Sequence, residues 1–207
     1  MSEAVISSPA NPRLKTVTAL RTRRSREVFG LTLLEGRDEL ELAVRAGVVP
    51  RTLLFCPELM GAAPAPNGAG VTGPALVAAV RALGAETLRL SRAAFEKVAY
   101  REGPDGFLAV VPRPGLSLGD LEVPPGALLL VAQGIEKPGN LGAMLRTADA
   151  AGVAAVIAAD PVTDWGNPNV VRASKGTVFS VPVASAPTSV VLAWLAARGV
   201  AIVATTP

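Results

Sequence analysis

The 207-residue chain contains no histidine. That removes the side chain most used as a general base near neutral pH and as a transition-metal ligand. Ser-His-Asp hydrolase chemistry and most zinc sites go with it. There is one cysteine, Cys56, so neither a disulfide framework nor a paired-cysteine metal site is available. Within the apolar run RTLLFC this thiol is expected to be a buried structural group. No apolar run reaches the about 18 residues of a membrane-spanning helix. The start, MSEAVISSPANPRLK, has no hydrophobic signal core. The expectation is a cytoplasmic protein with no membrane partner and no metal. The glycine-rich nucleotide signatures, GxGxxG and GxxxxGK followed by Ser or Thr, are missing as well. Their absence counts against an unrelated nucleotide-binding α/β protein.

Charge is present but unevenly placed. Residues 1–115 hold 15 basic against 11 acidic groups, and residues 116–207 hold 5 against 6. The first 26 residues alone carry six basic groups against one acidic: Arg13, Lys15, Arg21, Arg23, Arg24 and Arg26 against Glu3. A basic front on a near-neutral body points to polyanion contact at that end, unless these groups form only a solvated helix face.

Apolar periodicity and punctuation divide the chain. Asn11-Pro12 is a cap followed by proline at a first helical position. Strands are expected at 28–34, 51–56, 87–90 and 107–111, and helices at 37–46, 75–83 and 92–99, a small α/β layer. Residues 57–74, with four prolines and four glycines, read as a surface loop. Residues 112–126 hold four prolines and three glycines, so a linker is placed at 113–126 between a first domain, 1–112, and a second, 127–207. In the second, strands are expected at 127–132, 153–159, 178–183 and 200–204. Helices are expected from Asn140 to Gly152, from Asn167-Pro168 to about Ser174, and over 189–198. Apolar strands separated by helices imply a parallel sheet covered on both faces. Ligands in such sheets sit beyond the carboxyl ends of the strands, which places 133–146, 160–175 and Thr205-Thr206 around one crevice.

The stretch ALLLVAQGIEKPGNLGAMLRTADAAG, 127–152, runs strand, glycine-containing turn, helix, with free backbone N–H groups at the helix start. Its Asn140-x-Gly142-x-x-x-Arg146 resembles the first motif of the SpoU (TrmH-like) family of RNA ribose 2′-O-methyltransferases. The stretch NPNVVRASKGTVFSVP, 167–182, resembles that family's second motif. The front, with ISSPANPRLK, RTRRSR and LLEG, is similar to the RNA-binding domain that many members carry. The resemblance implies a small L30e-like RNA-binding α/β domain followed by a SPOUT-type, trefoil-knot-family parallel-sheet α/β domain. It implies S-adenosylmethionine as donor, an RNA substrate (rRNA ahead of tRNA), and a homodimer formed through the second domain.

By that resemblance, Arg146 and Asn140 are the catalytic candidates. A guanidinium is a poor base but a good phosphate fork and can stabilise a developing alkoxide, so its place is better defined than its role. Asn140 either orients the loop or simply caps a helix. Gly142 either admits a close backbone or allows tight packing. Arg172 and Lys175 either contact RNA phosphate or complement a helix dipole. Arg13, Lys15, Arg21, Arg23, Arg24 and Arg26 are the RNA-binding candidates of the front. Ala204, Thr205 and Thr206, in the ATTP stretch, resemble the strand end bordering the donor pocket. The family's third motif would follow, and the sequence as given stops at Pro207. The second domain is therefore expected to be carboxyl-terminally incomplete, with an incomplete knot. An RNA-binding module without catalysis is the alternative expectation.

Overall fold

The computed structural model describes residues 4–61 and 71–205. Part of the expected 57–74 loop, and Thr206, lie outside the described residues. Two sheets form. The first has the order β1-β4-β3-β5-β2, built from Val5–Ile6, Glu86–Leu90, Thr52–Phe55, Phe107–Pro112 and Leu31–Glu35. β1 and β3 run parallel to β4, while β5 is antiparallel to both β3 and β2.

Strand alternation gives each face of this sheet its own core. Phe107, Ala109 and Val111 of β5 face α3 (Arg37–Arg45) and α4 (Gly73–Ala82), while Leu108 and Val110 face α1 (Pro12–Ala19) and α5 (Arg92–Val98). Asn11 caps α1 as expected, its side-chain oxygen accepting from the Arg13 N–H at 3.0 Å. The strand expected at 28–34 begins later. Thr22 caps a helix α2, Arg23–Phe29, which takes up Val28 and Phe29 and stops at Gly30 (φ 64°). β2 then starts at Leu31.

The second sheet is all parallel, in the order β6-β7-β8: Leu129–Gln133, Ala155–Ala159 and Val183–Ala186. α6 (Pro138–Ala150) and α7 (Pro168–Ala173) cover one face and α8 (Thr188–Ala197) the other. The strand expected at 178–183 is largely replaced by a 3-10 turn over Thr177–Phe179. Pro182 has no N–H to give a ladder, and pairing begins only at Val183. Residues 200–204 form no strand; Ile202 and Val203 stand exposed, with no ladder partner.

The two sheets share apolar packing. Leu141, Leu145, Val170 and Val171 join Leu34, Leu40 and Phe107 in one buried cluster. The expected linker is not a free tether. Leu116 donates its N–H to the Val183 carbonyl at 2.8 Å, and Leu118 and Leu121 are buried against the second sheet. That contact covers the outer edge of β8 and leaves the β6 edge open.

Candidate active site

Each parallel strand ends on a polar group or a turn, and three of these ends are tied together. Gln133, last residue of β6, donates through Nε2 to Thr188 Oγ1 at 3.1 Å. The Thr188 hydroxyl donates to Asp160 Oδ2 at 2.6 Å, and its backbone N–H to Oδ1 at 3.1 Å. Those two donors hold the Asp160 carboxyl below its usual range, the hydroxyl acting most. Asp160 has φ 48° and Lys175 φ 55°, the two non-glycine residues with positive φ among the described residues. Asp160 lies at this end of the sheet and Lys175 just past the end of α7, and such backbone strain collects at functional sites.

Beside this network runs a cleft of about 690 Å³ along the open edge of β6. Leu129, Val131 and Gln133 of β6, Met144 of α6, Thr188 of α8, and Ala204 and Thr205 line it. The volume is that of a small-molecule site with apolar walls and a few polar groups. Ala204 and Thr205 are thus placed at the cleft, although as exposed chain rather than as a strand end.

The first motif differs from its expected geometry in one respect. α6 begins at Pro138 with Lys137 as its cap position, so Asn140 is not the cap. It sits exposed in the first turn, because Pro138 already supplies the preferred first helical residue. Gly142 is buried where α6 crosses α7. A Cβ there would come within 2.5 Å of the Ala173 Cβ and 2.7 Å of the Ser174 N. The glycine therefore serves helix-on-helix contact.

Arg146 reaches toward α7. Its Nη1 donates to the Ala173 carbonyl, at the carboxyl end of α7. The structure thereby brings the first and second motifs together, with Arg146, Arg172 and Lys175 exposed about one helix end. Lys175 stands 3.7 Å from Glu39 of α3, which is itself buried. Met144 and Arg146 are two residues apart and so point to nearly opposite faces of the helix. The cleft lies on one side of α6 and Arg146 on the other.

The basic front divides. Arg13 pairs with Glu86, Arg23 with Glu27 at 2.8 Å, and Arg21 donates to the carbonyls of Val98 and Ala99 at 3.1 and 2.9 Å. Lys15 and Arg24 are exposed. Arg26 must be withdrawn from the RNA-facing set. It is 2% exposed, its guanidinium donating to both oxygens of Asp164 (2.6 and 3.3 Å) and to the Leu20 and Arg21 carbonyls. Asp164, 5% exposed, belongs to the second unit, so the pair is a buried clamp between the two sheets.

Sequence reasoning missed Asp164, Glu39, the Asp160–Thr188 pair and Glu35. Glu35 is a buried carboxyl at the end of β2 that accepts from the Tyr100 N–H (2.6 Å) and the Arg101 N–H (3.1 Å). Burial pushes its pKa up, and the two N–H donors only partly oppose this. Glu35 and Asp160 each follow directly on an expected strand, 28–34 and 153–159. Nothing local in the sequence names their partners.

Family models match the chain in two blocks: an MRM3-like substrate binding domain over residues 11–109, and the SpoU rRNA Methylase family over 127–207. A crystal structure of an RNA 2′-O ribose methyltransferase superposes with a TM-score of 0.77 at 37% identity, covering 99% of this chain and 74% of that one. An AdoMet-bound rRNA methyltransferase from Sinorhizobium meliloti gives 0.79 at 26% identity, covering 94% and 69%. Among curated relatives, the Bacillus subtilis 23S rRNA (guanosine-2′-O)-methyltransferase RlmP is 28% identical over 86% of this chain and 63% of its own length. The human mitochondrial rRNA methyltransferase 3 is 28% identical over 84% and 40%. The chain thus spans less than two thirds of the length of these curated relatives.

Proposed function

We propose that this chain, which belongs to the SpoU methylase family, forms the RNA-holding and part of the donor-holding machinery of an enzyme that methylates ribose 2′-hydroxyls in ribosomal RNA. The observation that carries the reading is the interlock of the two motifs at the end of α7, where Arg146 is anchored through one nitrogen to Ala173. Its remaining N–H donors are left for a polyanion. The other support is the naming of the relatives as rRNA 2′-O-methyltransferases.

The donor, S-adenosylmethionine, supplies an electrophilic methyl group. The residues of the β6 cleft fit it: apolar walls for its adenine base, with Gln133, Thr188 and Thr205 as polar contacts. Arg146, Arg172 and Lys175 would grip the phosphates flanking the target sugar, with Arg146 favouring the developing alkoxide. Strand tips tied by Gln133, Thr188 and Asp160 keep the cleft's polar end fixed before RNA arrives.

Arg146 and the cleft lie on opposite faces of α6, which supports a homodimer in which a second copy brings the two together. The exposed Val190 and Leu192 on α8 are further support. The compartment proposed for this activity is the cytoplasm.

Incubating the protein with methyl-labelled donor and rRNA, followed by nucleoside analysis, tests the reading. Label on a ribose 2′-oxygen is expected, and no transfer to any RNA ribose would overturn it. A second reading, an RNA-binding module without catalysis, is favoured by the exposed Arg146, Arg172 and Lys175, which can hold phosphate whether or not a donor binds. Calorimetric titration of the donor separates the two: binding supports the first, and none supports the second.

A further inference from the structure

A second hollow, about 300 Å³, opens on the first sheet at the amino-terminal ends of β3 and β4. Leu88 and Val110 are part of its floor, and Arg13, Arg51 and Glu86 stand around it. Phe29 forms a wall. Among the described residues, Phe29 is the one exposed aromatic side chain, at 55%, and Val28 beside it is 71% exposed. Gly30, in the left-handed conformation, ends α2 immediately after and holds Phe29 at the rim instead of letting it enter the core. A single exposed apolar residue needs no explanation. An exposed ring forming the wall of a cavity, with a cationic rim, calls for one.

We infer that this hollow binds one unpaired nucleotide of the RNA, its base stacked against Phe29 and its phosphate on Arg51; the inference rests on the RNA-methylating reading above. Charge selects the occupant. Arg13 and Glu86 are paired and cancel each other. Arg51 then leaves the rim net positive, which suits a phosphodiester and not an uncharged apolar peptide. An apolar floor, an aromatic face and a guanidinium are the combination by which single-stranded nucleotides are held without base pairing, whereas a paired base has no free face to offer. Position agrees. Arg23, at the start of α2, donates to the Val162 carbonyl beyond β7 at 3.2 Å. Phe29 is at the other end of this seven-residue helix, about 10 Å away. The bound base would therefore lie only a few nucleotides from the crevice.

The test is binding of labelled single-stranded deca-uridylate and deca-adenylate to the whole protein, with circular-dichroism melting as a folding control. Phe29→Ala is expected to weaken binding about tenfold, in line with loss of one base–aromatic stack. Phe29→Tyr is expected to restore it. Arg51→Ala is expected to weaken binding and to reduce the slope of log affinity against log salt by about one. A 4-thiouridine-substituted decamer is expected to crosslink to the peptide spanning residues 24–31. Variants within twofold of the parent, with crosslinks only elsewhere, would overturn the hollow while leaving the RNA reading intact. A parent protein that binds no RNA would overturn both. A change in sedimentation on Phe29→Ala with unmoved RNA affinity would assign the hollow to a second copy of the chain and overturn the inference.

Discussion

The first sheet and the second are built on opposite plans. In the first, helices close both faces, and most arginines of its front are engaged by the protein itself: Arg13 with Glu86, Arg21 with backbone carbonyls, Arg23 with Glu27, Arg26 with Asp164. In the second, one strand edge stays open along a cleft, and Arg146, Arg172 and Lys175 face solvent. The half with more positive charge thus holds several of its cations in internal contacts, and the near-neutral half presents three at one helix end. Cation density along a sequence therefore does not give the number of cations left free for a polyanion. What counts is the number of donors left over after folding.

The largest effect should come from cutting the clamp that joins the two plans. Asp164→Ala leaves Arg26 buried without its counter-charge and should cost about 3–5 kcal/mol in urea unfolding. A loss under about 1 kcal/mol would mean the sheets do not depend on this pair. Next is Gly142→Ala, whose methyl would meet the α7 backbone at 2.7 Å. About 1–3 kcal/mol of stability should be lost through overpacking, together with RNA affinity at the α7 end. A neutral result would show that the motif glycine does not serve packing.

Glu35 gives a smaller effect that depends on pH. Its folded pKa is raised, so over the window from the ordinary carboxylate range upward to the raised value the folded state binds more protons than the unfolded chain. Stability contributed by this group is accordingly present at low pH and falls as pH rises through that window. Glu35→Gln should flatten that decline, measured by melting temperature across pH, and a parallel shift with no change of slope would contradict the assignment. Smallest in stability are Lys15→Ala and Arg24→Ala, each expected within about 0.5 kcal/mol of the parent. Both should lower RNA affinity and its salt dependence; unchanged affinity would remove them from the RNA-facing set.

Much of this organisation was legible in the residues. Asn11-Pro12 and Asn167-Pro168 announced two helix starts because cap chemistry is local. The apolar runs announced the parallel sheet. Errors arose where neighbours decide. Val28 and Phe29 have strand-like composition yet finish a helix that Thr22 caps and Gly30 ends. Residues 200–204 have the same composition and find no ladder partner. For the site, motif spacing singled out Arg146 and Lys175 as candidates, but not that Arg146 would reach Ala173. The role of Arg26 was unreadable, because Asp164 lies 138 positions away along the chain.

The central claim is that Arg146 acts on RNA and not on the fold. The direct measurement is methyl transfer from labelled donor to rRNA by the protein carrying this chain, with Arg146→Ala compared with the parent at matched melting temperature. The account predicts an unchanged melt and transfer reduced by at least about a hundredfold, the scale of losing one preorganised charge-stabilising donor. Transfer retained within a fewfold of the parent would contradict it.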